Sequence, residues 1–161
     1  MKWIAIVFFM ASFNSLLFAQ KMNNAKLGKI IKEQSAEVEG KAGYWQFKYK
    51  NTYLLLITDE KHNRMRLITP IIEEEKLPEN YFKNALRANF HTALDVKYAL
   101  ADGMMWCVFI HPLKELSEEQ VIDAMSQVYY GAMTFGTTYS STDLVFPASK
   151  EKKKEEKEKK G

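Results

Sequence analysis

Cysteine is almost absent from this sequence: Cys107 is the only one among 161 residues. A single cysteine excludes a disulfide within the chain, and no Cys-x-x-Cys pair is present to bind a metal or carry out redox chemistry. No cysteine follows the N-terminal apolar run, so we do not expect a lipoprotein. We expect packing alone to hold the fold, for which a central segment of about 130 residues is long enough.

Histidine and glycine are also scarce, and this removes several kinds of site. His62, His91 and His111 do not stand at zinc-ligand spacing, so we predict no metal site and no cofactor. The seven glycines are spread singly, and none builds a phosphate-binding loop. Cys107 and His111 would lie about 13 Å apart along a strand, too far for a nucleophile and its base. The sequence therefore indicates a protein that is not an enzyme.

Basic charge is concentrated in the C-terminal tail. Lys150–Gly161 contains seven Lys, four Glu and a final Gly. Without this run and Lys2 the chain has 15 basic and 16 acidic residues, so the remainder has no charge excess that would favour nucleic acid. We predict that residues 147–161 are a disordered Lys/Glu tail whose contact with a membrane is at most weak.

The one long apolar run lies at the N-terminus. Residues 1–19 begin with a basic side chain, continue as an apolar stretch interrupted by polar residues, and end at Ala19. This is the pattern of a secretory signal peptide, and the run is shorter than the roughly 20 apolar residues that span a bilayer. We predict cleavage after Ala19 and a protein that is exported, either periplasmic or secreted.

The hydrophobic pattern predicts one α+β domain over residues 23–146. Helical spacing predicts a first helix over Asn23–Val38, a second that begins at Pro78, and a third from Ser117 to Gly136. Alternating or continuous apolar runs predict five strands: Tyr44–Lys50, Thr52–Thr58, Arg64–Ile71, Leu94–Ala101 and Met104–Ile110. We expect a five-stranded antiparallel sheet with helices packed on one face, in the order α-β-β-β-α-β-β-α.

Local signals support these boundaries. Ser117 and Gln120 form a capping box, and Leu116 with Val121 forms a hydrophobic staple at the start of the last helix. Asp102-Gly103 is the strongest hairpin signal, because both positions of such a turn favour residues that tolerate positive φ.

Six further sequence segments are informative through their residue types and their order along the chain. They are Arg64–Leu67, Ala85–Thr92, Ala99–Trp106, Pro112–Gln127, Ala132–Gly136 and Leu144–Phe146. Together, over Gly43–Phe146, they resemble the YbjN-like branch of the type III secretion chaperone-like superfamily. The resemblance implies a non-enzymatic, often dimeric module with one antiparallel sheet, which in the secretion chaperones holds segments of client proteins.

Two predicted strands are apolar on both sides. Met104–Ile110 has this pattern, and so does Thr52–Thr58. Helices cover one face of a sheet, so we expect a protein or peptide client, or a second copy in a homodimer, to cover the other. Met and aromatic side chains are common at such interfaces. The predicted partner-binding residues are Leu54, Leu56, Met105, Cys107 and Phe109.

Two alternatives remain open. The chain's own segment Thr137–Phe146 contains apolar side chains that would also serve as the second cover. A lipid or another small hydrophobic molecule of the cell envelope would serve equally, which gives a different function. The leading hypothesis is an exported, non-enzymatic module, chaperone-like or a sensory regulator, that binds protein segments.

Two further features are a group of basic side chains, which has a functional and a structural interpretation, and Asn89. Arg64 and Arg66 share one face of a strand, and with Lys48 and Lys50 they would form a basic stripe for an acidic peptide or headgroup. Solvated strand faces of this kind are nevertheless common. Asn89 is expected to satisfy backbone groups at the end of the second helix.

Overall fold

The computed structural model describes residues 21–142, which fold as three α-helices over a six-stranded antiparallel sheet. The predicted signal peptide and the predicted Lys/Glu tail lie outside the described residues. In chain order the elements are α1 (Asn24–Gln34), β1 (Ala36–Lys41), β2 (Tyr44–Tyr49), β3 (Thr52–Asp59), β4 (Arg64–Glu73), a short 3₁₀ helix (Glu74–Lys76), α2 (Glu79–His91), β5 (Lys97–Ala101), β6 (Met104–His111) and α3 (Glu118–Met133).

The strands are arranged in the order β1-β2-β3-β4-β6-β5, and every neighbouring pair is antiparallel. Two tight turns set the register. Lys50-Asn51 joins β2 to β3 with Tyr49 opposite Thr52, and Asp102-Gly103 joins β5 to β6 with both turn residues at positive φ. The α+β class and the antiparallel sheet are therefore confirmed.

The number of strands was predicted wrongly, because β1 was assigned to the first helix. α1 ends at Gln34, where Ser35 becomes extended and its hydroxyl donates to the carbonyl of Ile31. Val38 continued the helical pattern in the sequence, but it is the half-buried residue of an otherwise exposed strand. The order is therefore one helix, four strands, a helix, two strands and a helix.

α1 and α3 begin as capping rules dictate. The side chain of Asn23 accepts from the backbone N–H of Lys26 at 3.0 Å. The predicted capping box is present, since Ser117 and Gln120 bond reciprocally. Each cap satisfies amide groups that have no partner within the helix.

One face of the sheet lies beneath the helices, and we call it the helix-covered face. α3 contacts β4 and β6, while α1 contacts α3 and β1, and α2 contacts β5. Its buried side chains come from five strands: Trp45, Phe47, Leu54, Leu56, Met65, Leu67, Tyr98, Met105, Cys107 and Phe109. A Cβ on Gly131 of α3 would lie 2.6 Å from Cys107 Sγ, so glycine is required for the helix to approach this closely.

Candidate functional site

The five predicted partner-binding residues all lie on the helix-covered face. Leu54, Leu56, Met105, Cys107 and Phe109 are between 0% and 6% exposed and belong to the main hydrophobic core. The helices already bury these side chains, so a partner has no access to them while the helices stay in place. The candidate binding surface is therefore the opposite side of the sheet.

Cys107 illustrates how thorough this burial is. Its side chain is completely enclosed, and burial raises the pKa of its thiol to about 12. A thiol acts as a nucleophile in its deprotonated form, which this environment suppresses. The side chain therefore contributes to packing.

The opposite side of the sheet, which we call the open face, carries a band of apolar side chains. Strand register aligns them in rows, with Leu55, Ile68 and Val108 in one row. The band consists of Tyr53, Leu55, Ile57, Ile68, Trp106, Val108 and Ile110. Tyr53 is 46%, Ile57 is 37% and Ile110 is 59% exposed. Exposed apolar patches are a common feature of interaction surfaces, so the band is the candidate surface.

A polar cluster borders the band at β1 and β2. Lys48 Nζ donates to Glu37 Oε1 at 2.8 Å, and the hydroxyl of Tyr53 donates to Glu37 Oε2. The hydrogen bonds from Lys48 and then Tyr53 lower the pKa of Glu37. Glu37 thus fixes Lys48 and orients Tyr53 at the edge of the apolar band.

The predicted basic stripe is divided by the structure. Lys48 is paired with Glu37, and Lys50 turns toward α3, where its Nζ lies 4.6 Å and 4.4 Å from the ring centroids of Tyr129 and Tyr130. Arg64 and Arg66 remain exposed on the open face, because they alternate with Met65 and Leu67 along β4. Of the four residues in the predicted basic stripe, only Arg64 and Arg66 on β4 therefore remain as a basic surface.

The described part of the alternative cover lies on the helix-covered side. Thr92 Oγ1 donates to the carbonyl of Tyr139 at 2.7 Å, and the ring of Tyr139 packs edge-on against Tyr81, Tyr98 and Phe135. Residues 137–142 therefore extend the core near α2. Leu144–Phe146, the other apolar part of that segment, lies outside the described residues.

A second apolar surface lies on α2. Its large apolar side chains Leu86 and Phe90 are 70% and 86% exposed. The buried side of α2 is lined instead by Ala85 and Ala88, whose small side chains let the helix lie close to β5. Leu86 and Phe90 stand one turn apart on a helix surface that nothing in residues 21–142 covers.

A groove is separate from both surfaces. It has a volume of about 710 Å³ and lies between the start of α1 and the loop before α3. Its floor is apolar, with Met22, Ile30 and Leu116, and four lysines lie around it: Lys21, Lys26, Lys29 and Lys114. Glu115 and Glu118 also line the groove, which lowers its net positive charge.

Metal-binding clusters and membrane-spanning helices are both absent from the described residues. Between residues 21 and 142, no group of three or more His, Cys, Asp or Glu side chains is arranged to hold a metal ion. Within the same range, no helix has the length and hydropathy that crossing a membrane requires.

Solved structures share this fold at low sequence identity. A chain of the ExsC–ExsE complex has a TM-score of 0.53 and 14% identity over 69% of this chain and 92% of that chain. A chain of the complex between the Yersinia pestis type III secretion chaperone SycH and a stable fragment of YscM2 has a TM-score of 0.53 and 14% identity, covering 70% of this chain and 98% of that one. A chain of the HopA1–SchA chaperone–effector complex has a TM-score of 0.48 and 16% identity, covering 58% and 74%.

The two likenesses with a TM-score of 0.53 show that this chain shares its fold with chains of those complexes, one of them a type III secretion chaperone complex, in agreement with the fold that the resemblance in the sequence implied. No family model and no curated protein matches the chain. The narrower YbjN-like assignment stays a prediction.

Proposed function

We propose that this protein is an exported, non-enzymatic module that binds a segment of another protein on its open face. The observation that carries the proposal is the apolar band on β3, β4 and β6, in which Ile57 and Ile110 are exposed in the row next to Leu55, Ile68 and Val108. The helices cover only the opposite face of the sheet, and the side chains of that face are buried in the hydrophobic core. A partner that covers the band would remove exposed apolar surface from water.

The comparisons support a protein partner. One similar structure is a secretion chaperone in complex with a fragment of another protein, and another is a chain of the ExsC–ExsE complex. Identity of 14% transfers the fold and leaves the partner of this chain open. Membership of the YbjN-like branch, as a sensory regulator, is the narrower form of the same proposal.

Introducing two carboxylates on the open face tests this function. We expect Ile57→Glu with Ile110→Glu to abolish partner capture from cell-envelope extracts by the tagged full chain, because two carboxylates would have to be buried unpaired. The matched control is Met133→Glu, which changes a side chain that is 48% exposed on α3. Thermal unfolding of each variant separates loss of binding from loss of folding.

The result that contradicts the proposal is specific. If the folded double variant retains every partner of the wild type, and photo-crosslinkers placed at Ile110 capture nothing, the open face is not the binding surface. Crosslinking at Met133 provides the background for that comparison.

A second copy of the chain is the other candidate partner. Leu86 and Phe90 on α2 offer a separate apolar surface for self-association. Light scattering on the wild type, the open-face variant and Leu86→Glu with Phe90→Glu would locate the contact. A dimer lost only in the α2 variant would leave the open face for a client, whereas a dimer lost only in the open-face variant would make the second copy its occupant.

A lipid or small hydrophobic ligand is the alternative function, and the large groove favours it. An apolar floor surrounded by lysines suits an anionic amphiphile such as a fatty acid. This alternative predicts saturable binding of a fluorescent fatty acid that Lys21→Glu with Lys114→Glu weakens. Absence of saturable binding removes it.

Export is a part of the proposal with its own test. Residues 1–19 have the signal-peptide pattern, and cleavage after Ala19 would leave Gln20 as the first residue. Cell fractionation and N-terminal sequencing of the protein from its own cells check this. An uncleaved cytoplasmic product would contradict it.

A further inference from the structure

Arg66 lies on the open face between two exposed isoleucines. It is opposite Ile57 of β3 and opposite Ile110 of β6. Because neighbouring strands are about 4.8 Å apart, the three side chains form one row about 10 Å long. A segment that docks across the strands along this row therefore contacts Ile57, then the guanidinium of Arg66, then Ile110.

The guanidinium groups of Arg64 and Arg66 have no ion pair within the described residues. Two carboxylates of the neighbouring strands are engaged elsewhere. Asp59 is opposite Arg64, but it accepts from the backbone of His62 and lies 2.6 Å from the His62 ring nitrogen. Glu37 is held by Lys48 and Tyr53. A docked partner would desolvate Arg66, which is costly unless the partner supplies an acceptor.

The charge on this face suits a single carboxylate better than a charged membrane or a nucleic acid. The charged groups of both signs on or beside it include Glu37, Glu39, Asp59, Glu73, Lys48, Arg64, Arg66 and Lys97. Lys97 donates to the carbonyl of Val96 at 2.9 Å. The mixed signs give a weak overall field, so recognition falls to directed pairs.

The chain's own tail does not complement this site. Lys150–Gly161 carries seven Lys against four Glu. Its net positive charge would be repelled by two unpaired arginines, and the run contains no apolar side chain to place on Ile57 or Ile110. This run is therefore excluded as the occupant of the site.

On the basis of the proposed function, we propose that the bound segment carries an Asp or Glu between two apolar side chains. The carboxylate pairs with Arg66, and its apolar neighbours pack on Ile57 and Ile110. Arginine suits this role, because its planar fork binds a carboxylate through two parallel hydrogen bonds. Arg64, two residues away on the same face, adds a second cation for a further acidic residue.

Selection from a library of random displayed peptides tests the proposal on the full chain. We expect wild-type protein to enrich Asp or Glu flanked by apolar residues. Arg66→Glu should weaken the selected peptides by roughly tenfold or more, and replacement of the peptide's acid by Lys should restore binding to that variant. Arg66→Gln tests loss of charge without reversal, and Arg87→Glu on α2 is the matched surface control.

The outcomes separate this inference from the proposed function. If the selected peptides lose binding to the Ile57→Glu variant, show no preference for acidic residues and still bind the Arg66→Glu variant, the inference about the acidic residue is wrong. Binding on the open face would then still stand. Peptides that bind independently of both Ile57 and Arg66, or a selection without any binder, would overturn both. Thermal unfolding confirms that each variant is folded.

Discussion

Asn89 and Tyr98 are joined by two hydrogen bonds across the outer edge of the sheet. The side-chain amide of Asn89 donates to the carbonyl of Tyr98 at 3.1 Å, and its oxygen accepts from the N–H of Tyr98 at 2.7 Å. Asn89 lies within α2, while Tyr98 lies on β5, which is an edge strand. The side chain thus occupies backbone groups that a further strand would otherwise pair with.

Asn89→Ala should destabilise the domain by about 1–3 kcal/mol, because both partly buried backbone groups lose their partner. Urea unfolding of the wild type and the variant measures the difference. Asn80→Ala, at an exposed position on the same helix, should change stability little. Equal effects of the two substitutions would show that the Asn89 bonds contribute nothing specific.

Gly131 of α3 lies directly against Cys107 of the sheet. A Cβ at position 131 would lie 2.6 Å from Cys107 Sγ and 3.2 Å from Val96 Cγ2, so Gly131→Ala should destabilise by about 1–3 kcal/mol through overpacking. Adding Cys107→Ala should recover part of that loss by removing the sulfur. Gly28→Ala on α1 is the matched control, because its Cβ would meet Trp45 at an ordinary 3.7 Å.

Features set by local chemistry were predictable from the sequence. The capping box of α3 and the Asp102-Gly103 turn are both present. Each depends on a few adjacent residues whose side chains or backbone angles decide the structure by themselves. Asn89 was predicted to satisfy backbone groups near the end of α2, but it bonds to a strand that only the tertiary fold brings close.

The identity of the open face depended on pairing between strands. Trp45 and Phe47 of β2 are buried, and the Lys50-Asn51 turn places Trp45 opposite Leu56 and Phe47 opposite Leu54. Both leucines therefore share the core with the aromatic rings. If this register had been applied to the predicted β2–β3 hairpin, Leu54 and Leu56 would have been assigned to the core. The exposure of Ile110 required the further pairing of β6 with β4, which the sequence does not specify.

Lys50 joins the β2–β3 turn to α3 through aromatic rings. Its backbone has a φ of 54°, which is unfavourable for lysine, and its Nζ donates to the hydroxyl of Tyr130 at 3.3 Å. Burial by itself lowers the pKa of Lys50, but the hydrogen bond and the surrounding tyrosines outweigh it, so the pKa is raised. The cation is therefore retained at this position.

Lys50→Met should cost about 0.5–1 kcal/mol, because it keeps the apolar stem and removes the cation over the rings. Lys50→Arg should retain most of the stability. Lys83→Met, at an exposed position on α2, is the control for loss of a surface charge. In a Tyr130→Leu background, the Lys50→Met substitution should cost much less in urea unfolding, and an undiminished cost would contradict the pairing.

Stability should fall as the pH rises above about 9, because Cys107 keeps its proton in the folded state. Its thiol pKa is raised from 9.0 to about 12 by burial. Above pH 9 the unfolded chain releases this proton while the native chain holds it, so the unfolded state binds fewer protons and is favoured. The slope approaches about 1.4 kcal/mol for each pH unit until the native thiol also ionises. Burial raises the pKa of Tyr98 as well, which adds a similar loss at higher pH.

Urea unfolding at a series of pH values from neutral to alkaline measures this slope. Cys107→Ala removes the thiol, so its stability should be lower at neutral pH but should decline less steeply above pH 9. The exposed lysines and tyrosines titrate in both proteins, and their contribution cancels in the comparison. Parallel curves for the wild type and Cys107→Ala would mean that the native thiol ionises as readily as the unfolded one. Its enclosure beneath Gly131 would then have to open at alkaline pH.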